Sequence, residues 1–212
     1  MTMSMTKLDP REAYARLAED YDSSPNALIA LEQRVMTPLL PGNLKGLIVV
    51  DVAAGTGRWA LHCAQRGARA IAVDFCIEMR PDVQADSTRL PFPDASADLT
   101  ICAFALGYAP ACFMELVRIT RPGGTLLVSD VHPEALKHGW TRSFRHRGGV
   151  IQVRDEPYGL ADLQAPSLRL SHLIEPHLGL PEREIFEHAG CLHRFDEACR
   201  EPAIFVARYV RL

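Results

Sequence analysis

No stretch of this sequence is both apolar and long enough to cross a bilayer, which takes roughly 18 to 20 residues, so no membrane-spanning helix is expected. No long run of one charge sign occurs either. The 23 Lys and Arg stand against 26 Asp and Glu for a net charge of -3, without the basic footprint that a polyanion demands, and nucleic acid is not expected as a partner. The six cysteines, at 63, 76, 102, 112, 191 and 199, contain no CxxC pair, and the opening MTMSMTKLDP lacks the apolar core of a secretion signal. Reduced thiols in a cytoplasm are the expectation. The histidines at 62, 138, 146, 177, 188 and 193 show no HxxxH spacing with a third ligand, and no metal is expected. Internal repeats and low-complexity tracts are missing as well.

What is present is ample apolar material, 48% of 212 residues, enough for one domain over 1–212. Residues 1–42 read as a helical layer. REAYARLAEDY and NALIALEQRVMTPLL are broken by Asp22-Ser23-Ser24-Pro25 and closed by Pro41-Gly42, and Leu28, Leu31, Val35 and Leu39 fall at helical spacing. From 43 to 131 strands and helices alternate. LIVVDV is a β-branched run stopped by AAGTG, RWALHCAQRG a helix ending at Gly67, and ARAIAVDF the next strand, together a βαβ unit. A weaker strand at 82–85, the buried strand LTICAFAL, the helix ACFMELVRIT and the strand GGTLLVSDV follow, which argues for an α/β fold on a mostly parallel sheet.

Beyond 131 the pattern loosens. SFRHRGGVIQVRD predicts a hairpin turning at Gly148-Gly149, and GLADLQ one helical turn. SLRLSHLIEP and EPAIFVARYVRL predict two last strands with PEREIFEHAG helical between them, an antiparallel addition to the sheet edge.

The loop Asp51-Val52-Ala53-Ala54-Gly55-Thr56-Gly57 sits where a strand hands over to a helix, a place where backbone approaches a ligand closely only if side chains are small. The same residues also make an ordinary tight turn. Asp74 ends the second strand, 23 positions after Asp51, where a carboxylate can accept both hydroxyl hydrogens of an adenosine ribose; a solvated turn residue is the plain alternative. A dehydrogenase competes, because Gly55 to Ala60 also satisfies GxGxxA with an acid downstream. Against it, an acid and two alanines separate the first strand from the first glycine.

At these residues the sequence resembles a family. VVDVAAGTGRWA is similar to the first motif of class I S-adenosylmethionine (SAM)-dependent methyltransferases, AIAVDF to the second, QADSTRLPFPDASADLTICAFAL to the third and fourth, and RITRPGGTLLVSDVHP to the fifth-strand region. In order and spacing these cover 49–133, with LPFPDASADL and RPGGTLLVSD similar to the ubiquinone-biosynthesis-type branch. The resemblance implies a Rossmann-like seven-stranded, mostly parallel sheet with an antiparallel C-terminal strand, an N-terminal helical lid at 1–42, a SAM-binding core at 43–131 and a substrate-side segment at 132–212. It implies SAM as cofactor and methyl transfer to a small-molecule acceptor by a monomer or homodimer. Carried over residue by residue, Asp51, Ala53, Ala54, Gly55, Thr56 and Gly57 flank the methionyl part of SAM. Asp74, followed by Phe75, takes the ribose, Asp86 and Ser87 border the adenine, Ala103 and Phe104 lie beside the ligand, and Tyr14 and Tyr21 belong to the lid. Two departures stand out: Ala53 replaces the usual first glycine, and the segment 75–85 is short, which opens the adenine side.

SAM carries its own leaving group, so the protein must chiefly align a nucleophile and, where necessary, remove its proton. AFALGYAP lacks the Asn/Asp-Pro-Pro-aromatic clamp of nucleic-acid and amide N-methyltransferases. Tyr108 and His132, after the fourth and fifth strands, are the candidate proton-transfer residues, each with pocket shaping as the alternative role; His172 and Glu175 rank behind them. A SAM-binding protein without catalysis is the remaining alternative, consistent with Ala53 and the trimmed helix.

Overall fold

In the computed structural model, residues 5–23, 25–146 and 149–212 are described. A seven-stranded sheet forms the centre, built from β2 (Ile48–Val52), β3 (Arg69–Asp74), β4 (Val83–Gln84), β5 (Ala97–Ala103), β6 (Thr120–Val131), β9 (Leu168–Ile174) and β10 (Ile204–Arg211) in the order β4-β3-β2-β5-β6-β10-β9. The pairs from β4 to β6 are parallel, and β10 is antiparallel to both of its neighbours. The antiparallel last strand is as expected, but it lies inside the sheet and leaves β9 at the edge. The physical reason is burial: Ile204, Phe205, Val206 and Ala207 are all buried, so β10 needs cover on both faces and both edges, whereas β9 keeps Arg169 and His172 in solvent.

Two apolar layers follow from the period-2 alternation of the strands. On one face Val49, Leu99, Ile101, Leu127, Ile204 and Val206 pack with α2 (Ala27–Met36), α3 (Arg58–Ala64) and Phe186 of α6 (Leu180–His188). On the other, Val50, Val52, Cys102, Val128 and Phe205 pack with α4 (Cys112–Ile119). Helix boundaries are set by local chemistry. The Asn26 side chain accepts from the backbone N–H groups of Leu28 and Ile29 to start α2, and Asp9 does the same for α1 (Pro10–Leu17) through Arg11.

A second, smaller sheet was not expected. Met5–Leu8 form β1, which pairs in parallel with β8 (Gly149–Val153), itself antiparallel to β7 (Ser143–His146). The β7–β8 hairpin matches the sequence reading, while Gly148 of its turn and Ser24 of the inter-helix break lie outside the described residues. Leu8, Ala13, Ile151 and Val153 form a satellite cluster that also receives Tyr14, Tyr108 and Phe144. Among the described residues no helix is long and apolar enough to cross a membrane.

One buried carboxylate joins three of these elements. Glu32 of α2 accepts from Trp59 Nε1 (3.0 Å) and Arg58 Nη2 (2.8 Å) of α3 and from Ser129 Oγ (2.9 Å) of β6. Glu32→Ala leaves those donors without an acceptor, and we expect a loss of about 3 to 5 kcal/mol in urea unfolding, with Glu32→Gln less damaging because it keeps one acceptor oxygen. An unchanged midpoint in Glu32→Ala would show that the cluster contributes nothing to stability.

Candidate active site

The strand order reverses between β2 and its neighbours β3 and β5, and open parallel sheets place their ligand crevice at the carboxyl ends of such strands. A cavity of about 260 Å3 lies there. Its floor and walls come from the strand ends, its roof from α1 and Tyr21.

The glycine loop supplies one wall. Ala53 (φ +53°), Gly55 (φ +56°) and Gly57 (φ +81°) all take the left-handed conformation, which suits glycine and strains Ala53. Ala53 and Gly55 line the cavity, whereas Ala54, Thr56 and Gly57 do not. Ala54 donates its N–H to Val73 O (2.9 Å), Thr56 Oγ1 donates to Asp22 Oδ1 (2.7 Å), and Gly57 caps α3. Asp51 is buried behind the loop. The pleat turns it away from Val50 and Val52 towards α3, where its Oδ2 accepts from the N–H of Ala60 (2.9 Å). Burial pushes its carboxyl up to about 7, against the pull of the Ala60 N–H and the Arg58 charge.

The β3 and β4 ends form the opposite wall. Asp74 Oδ2 accepts from Gly55 N and Oδ1 from Cys76 N, both at 2.8 Å, so the carboxylate is fixed by two backbone donors and each oxygen keeps a further lone pair. Burial raises its pKa, and the N–H bonds of Cys76 and Gly55 work in the other direction. Phe75 lies beneath the guanidinium of Arg11, 5.0 Å from the ring centroid. After it comes a single 3-10 turn, Ile77–Met79, ended by Arg80 at φ +58°, and then Asp86 and Ser87 on the cavity wall. Asp86 Oδ1 accepts from both the N–H and the hydroxyl of Thr88 (2.8 Å each).

On the other side of β2, β5 ends at Ala103 and the chain bends at Phe104, whose φ is +59° and whose N–H donates to Ser129 O (2.8 Å). Both residues line the cavity. Strained non-glycine residues gather at functional sites, and two of the four described here, Ala53 and Phe104, stand on this wall. Above them three tyrosine rings run in a row, Tyr21 to Tyr14 at 6.2 Å and Tyr14 to Tyr108 at 5.6 Å between centroids, and the hydroxyls of Tyr14 and Tyr108 share a 2.7 Å hydrogen bond. Burial raises all three phenols, Tyr21 to about 12, so they are neutral near pH 7.

The sequence reading missed the group behind Tyr108. Arg142, buried, lies 4.9 Å from the Tyr108 ring centroid and 2.7 Å from Asp130 Oδ1. Gly107 makes room for it, since a Cβ there would fall on the guanidinium. Nothing in the sequence around 142 announces this role; only the strand-end acid Asp130 offers a partner to look for. His132 stands elsewhere. It is off the cavity wall and caps α5 (Pro133–Lys137), with Nδ1 accepting from Glu134 N (3.1 Å) and Nε2 paired with Glu175 Oε1 (2.8 Å). Both ring nitrogens are thus engaged. His172 on β9 is exposed and away from the cavity, with Nδ1 3.2 Å from Ser171 Oγ. Among the described residues no three His, Cys, Asp or Glu side chains converge as a metal site.

Two expectations follow from the loop. A carboxyl with a pKa of about 7 in the fold and 3.8 in the open chain holds its proton more tightly when folded, so Asp51 stabilises fully below 3.8 and that contribution is lost as pH rises through about 7. Asp51→Asn keeps an acceptor for the Ala60 N–H without the charge, and its urea midpoint should gain on the wild type as pH rises from about 4 to about 8; parallel pH profiles would show that Asp51 ionises freely. Ala53→Gly should raise stability by about 0.5 to 1 kcal/mol, the relieved left-handed strain less the added chain entropy, and a lower midpoint would contradict that strain.

Comparison with known proteins places this geometry among relatives. Residues 50–128 match a family described as a methyltransferase domain. The chain is 39% identical over 102 residues to the demethylmenaquinone methyltransferase of Beutenbergia cavernae, covering 42% of each protein. It is 33% identical over 153 residues to that of Renibacterium salmoninarum, covering 62% of this chain and 65% of the relative. The chain therefore spans less than two thirds of the length of these relatives. In fold it is similar to a SAM-dependent methyltransferase of Mesorhizobium loti, with a TM-score of 0.64 at 19% identity over 88% of this chain and 100% of that one. With the sheet order, the glycine loop and the acid at the end of β3 in place, residues 50–128 match a methyltransferase domain, and the fold is that of SAM-dependent methyltransferases.

Proposed function

We propose that this chain is an enzyme that transfers a methyl group from SAM to a small-molecule acceptor. The observation that carries the reading is Asp74, a carboxylate fixed by the N–H groups of Gly55 and Cys76 at the switch point, on the wall of a cavity roofed by a short helix. That pair of acceptor oxygens fits the adjacent hydroxyls of a ribose, which donate. Ala53 and Gly55 leave room for the methionyl end, Asp86 and Ser87 border the adenine, Phe75, Ala103 and Phe104 flank the ligand, and Tyr14 and Tyr21 cover it. When bound, SAM supplies an electrophilic methyl group on a sulfonium. The protein then has to exclude water and align the acceptor, and Tyr108, on the wall beside Ala105 and Ala109, is the side chain we assign to that task. His132, with both nitrogens engaged behind the wall, serves to start α5 and hold Glu175.

An NAD(P)-dependent oxidoreductase fits less well. A dinucleotide rests its pyrophosphate on the N-terminus of the helix after the glycine loop, and here the buried carboxylate of Asp51 already takes the Ala60 N–H of α3. A small acceptor is supported by the relatives named for demethylmenaquinone, and six free cysteines fit a reducing cytoplasm. We keep nucleic acid outside the substrate range, given the net charge of -3, and read the working form as a monomer or homodimer.

Calorimetry with S-adenosylhomocysteine, the demethylated product, and with NAD tests the reading. We expect binding of the first alone, weakened by about 1.5 to 3 kcal/mol, roughly ten- to a hundredfold, in Asp74→Ala. Binding of NAD alone would overturn the assignment, and an unchanged affinity in a folded Asp74→Ala protein would make Asp74 a turn residue. Turnover with a mixed acceptor panel separates an enzyme from a SAM-binding protein without catalysis.

A further inference from the structure

We infer that the acceptor carries an anionic oxygen, a carboxylate or an ionised phenol, received by the hydroxyls of Tyr14 and Tyr108 with the guanidinium of Arg142 behind them. The inference rests on the methyl-transfer reading of the cavity. It starts from an asymmetry. The wall carboxylates Asp74 and Asp86 belong to the β3 and β4 ends, on one side of β2, and Asp9 opens the roof helix. On the β5 side the wall is Ala103, Phe104, Ala105, Tyr108 and Ala109, with Tyr14 above, and it contains no carboxylate, imidazole or amine.

What that side offers is hydrogen-bond donation in a positive field. Tyr14 and Tyr108 are neutral phenols joined by one hydrogen bond in which either is the donor, so the pair has one O–H left for a third atom. Behind it, both oxygens of Asp130 are occupied by backbone, Oδ2 by Gly107 N (2.8 Å) and Oδ1 by Val131 N (2.7 Å). Arg142 Nη2 lies 2.7 Å from Asp130 Oδ1, and its buried Nε has no hydrogen-bond acceptor. At the Tyr108 hydroxyl the guanidinium acts more strongly than Asp130, which stands behind it in the balance of charges on that phenol.

These groups discriminate between acceptors by charge and protonation. An amine arrives as an ammonium ion, must lose a proton before its lone pair can attack, and meets both a cation and a wall without a base. An anionic oxygen arrives with its lone pair available and is stabilised by O–H donors in a water-poor site. The oxygen forms the new bond to the methyl carbon, the carbon–sulfur bond breaks with its electron pair remaining on sulfur, and the negative oxygen and positive sulfur are neutralised together. For a carboxylate no proton changes place, and a phenol gives its proton to solvent before it enters, so neither needs a group on this wall to receive one.

The test uses the full chain saturated with S-adenosylhomocysteine and three probes of similar size: benzoate, 4-nitrophenolate and benzylamine. Calorimetry reads benzoate and benzylamine, and the absorbance of the phenolate reads the third. Binding of either anion but not of the amine is expected, benzoate alone marking a carboxylate acceptor and nitrophenolate alone a phenolic one. Tyr108→Phe and Tyr14→Phe, which keep the rings, should each weaken anion binding about tenfold, the effect of losing one hydrogen bond to a charged group. Tighter binding of benzylamine than of both anions overturns the inference, as does the absence of anion binding up to about 10 mM, the weak end of specific affinity. A chain that binds anions equally in both Phe variants assigns recognition to other groups and overturns it too. Failure to bind S-adenosylhomocysteine at all instead overturns the cofactor reading, and the two failures are distinct in the same titration.

Discussion

A guanidinium and a carboxylate out of reach of water, Arg142 at 5% and Asp130 at 0% side-chain exposure, set the geometry of the β5 side of the cavity. Withdrawing two charges from water costs several kcal/mol per ion unless mutual attraction and further hydrogen bonds offset it. Asp130 meets that condition with two backbone N–H donors, and one of them, from Gly107, fixes the turn that presents Tyr108. The turn in turn requires glycine, because the guanidinium occupies the space of a side chain. Tyr108 then positions Tyr14, and through it the roof helix. An ion pair at the end of β6 thus determines where the aromatic wall of Tyr108 and Tyr14 stands.

The roof depends on this wall for more than position. A helix of eight residues is too short to persist alone in water, and α1 is held by packing: Ala13 and Tyr14 sit in the cluster with Leu8, Ile151 and Val153. The strand that leads into α1 is itself held by β8. The roof helix and the β7–β8 hairpin therefore share one small core, separate from the two layers that cover the main sheet.

How much of this was legible in the sequence follows from where the information is local. LIVV, LTICA and TLLV are continuous apolar runs because parallel strands are buried on both faces, and the positions of the sheet strands and of Asp74 at the end of one could be read from them. The direction of a side chain is local only within a strand. Val50 and Val52 point one way and Asp51 the other, so the acid expected beside a ligand instead secures the first turn of α3. His132 follows its strand by one residue, and the turn into Pro133 carries its ring into the α5 cap, a rotation that residue types do not encode. Arg142 and β1 were illegible for a different reason. Each acquires its role from a partner far along the chain, Asp130 and β8, and neither has periodicity of its own: Met5, Thr6 and Lys7 of β1 are exposed.

The pairing of β1 with β8 sets Met5 opposite Val150 and Leu8 opposite Val153. Contacts between such distant positions close a large loop, and loop-closure entropy makes them slow to form. The main sheet pairs largely between nearer segments, so the cavity floor can be complete while its roof is still unattached. A region built from a four-residue strand, a two-turn helix and a four-residue cluster also lies at the low end of local stability. In the folded chain the same hierarchy runs in reverse: the roof can detach by sub-global opening that breaks the Thr56–Asp22 hydrogen bond and the Arg11–Phe75 contact but keeps the sheet, giving a bulky ligand a way in.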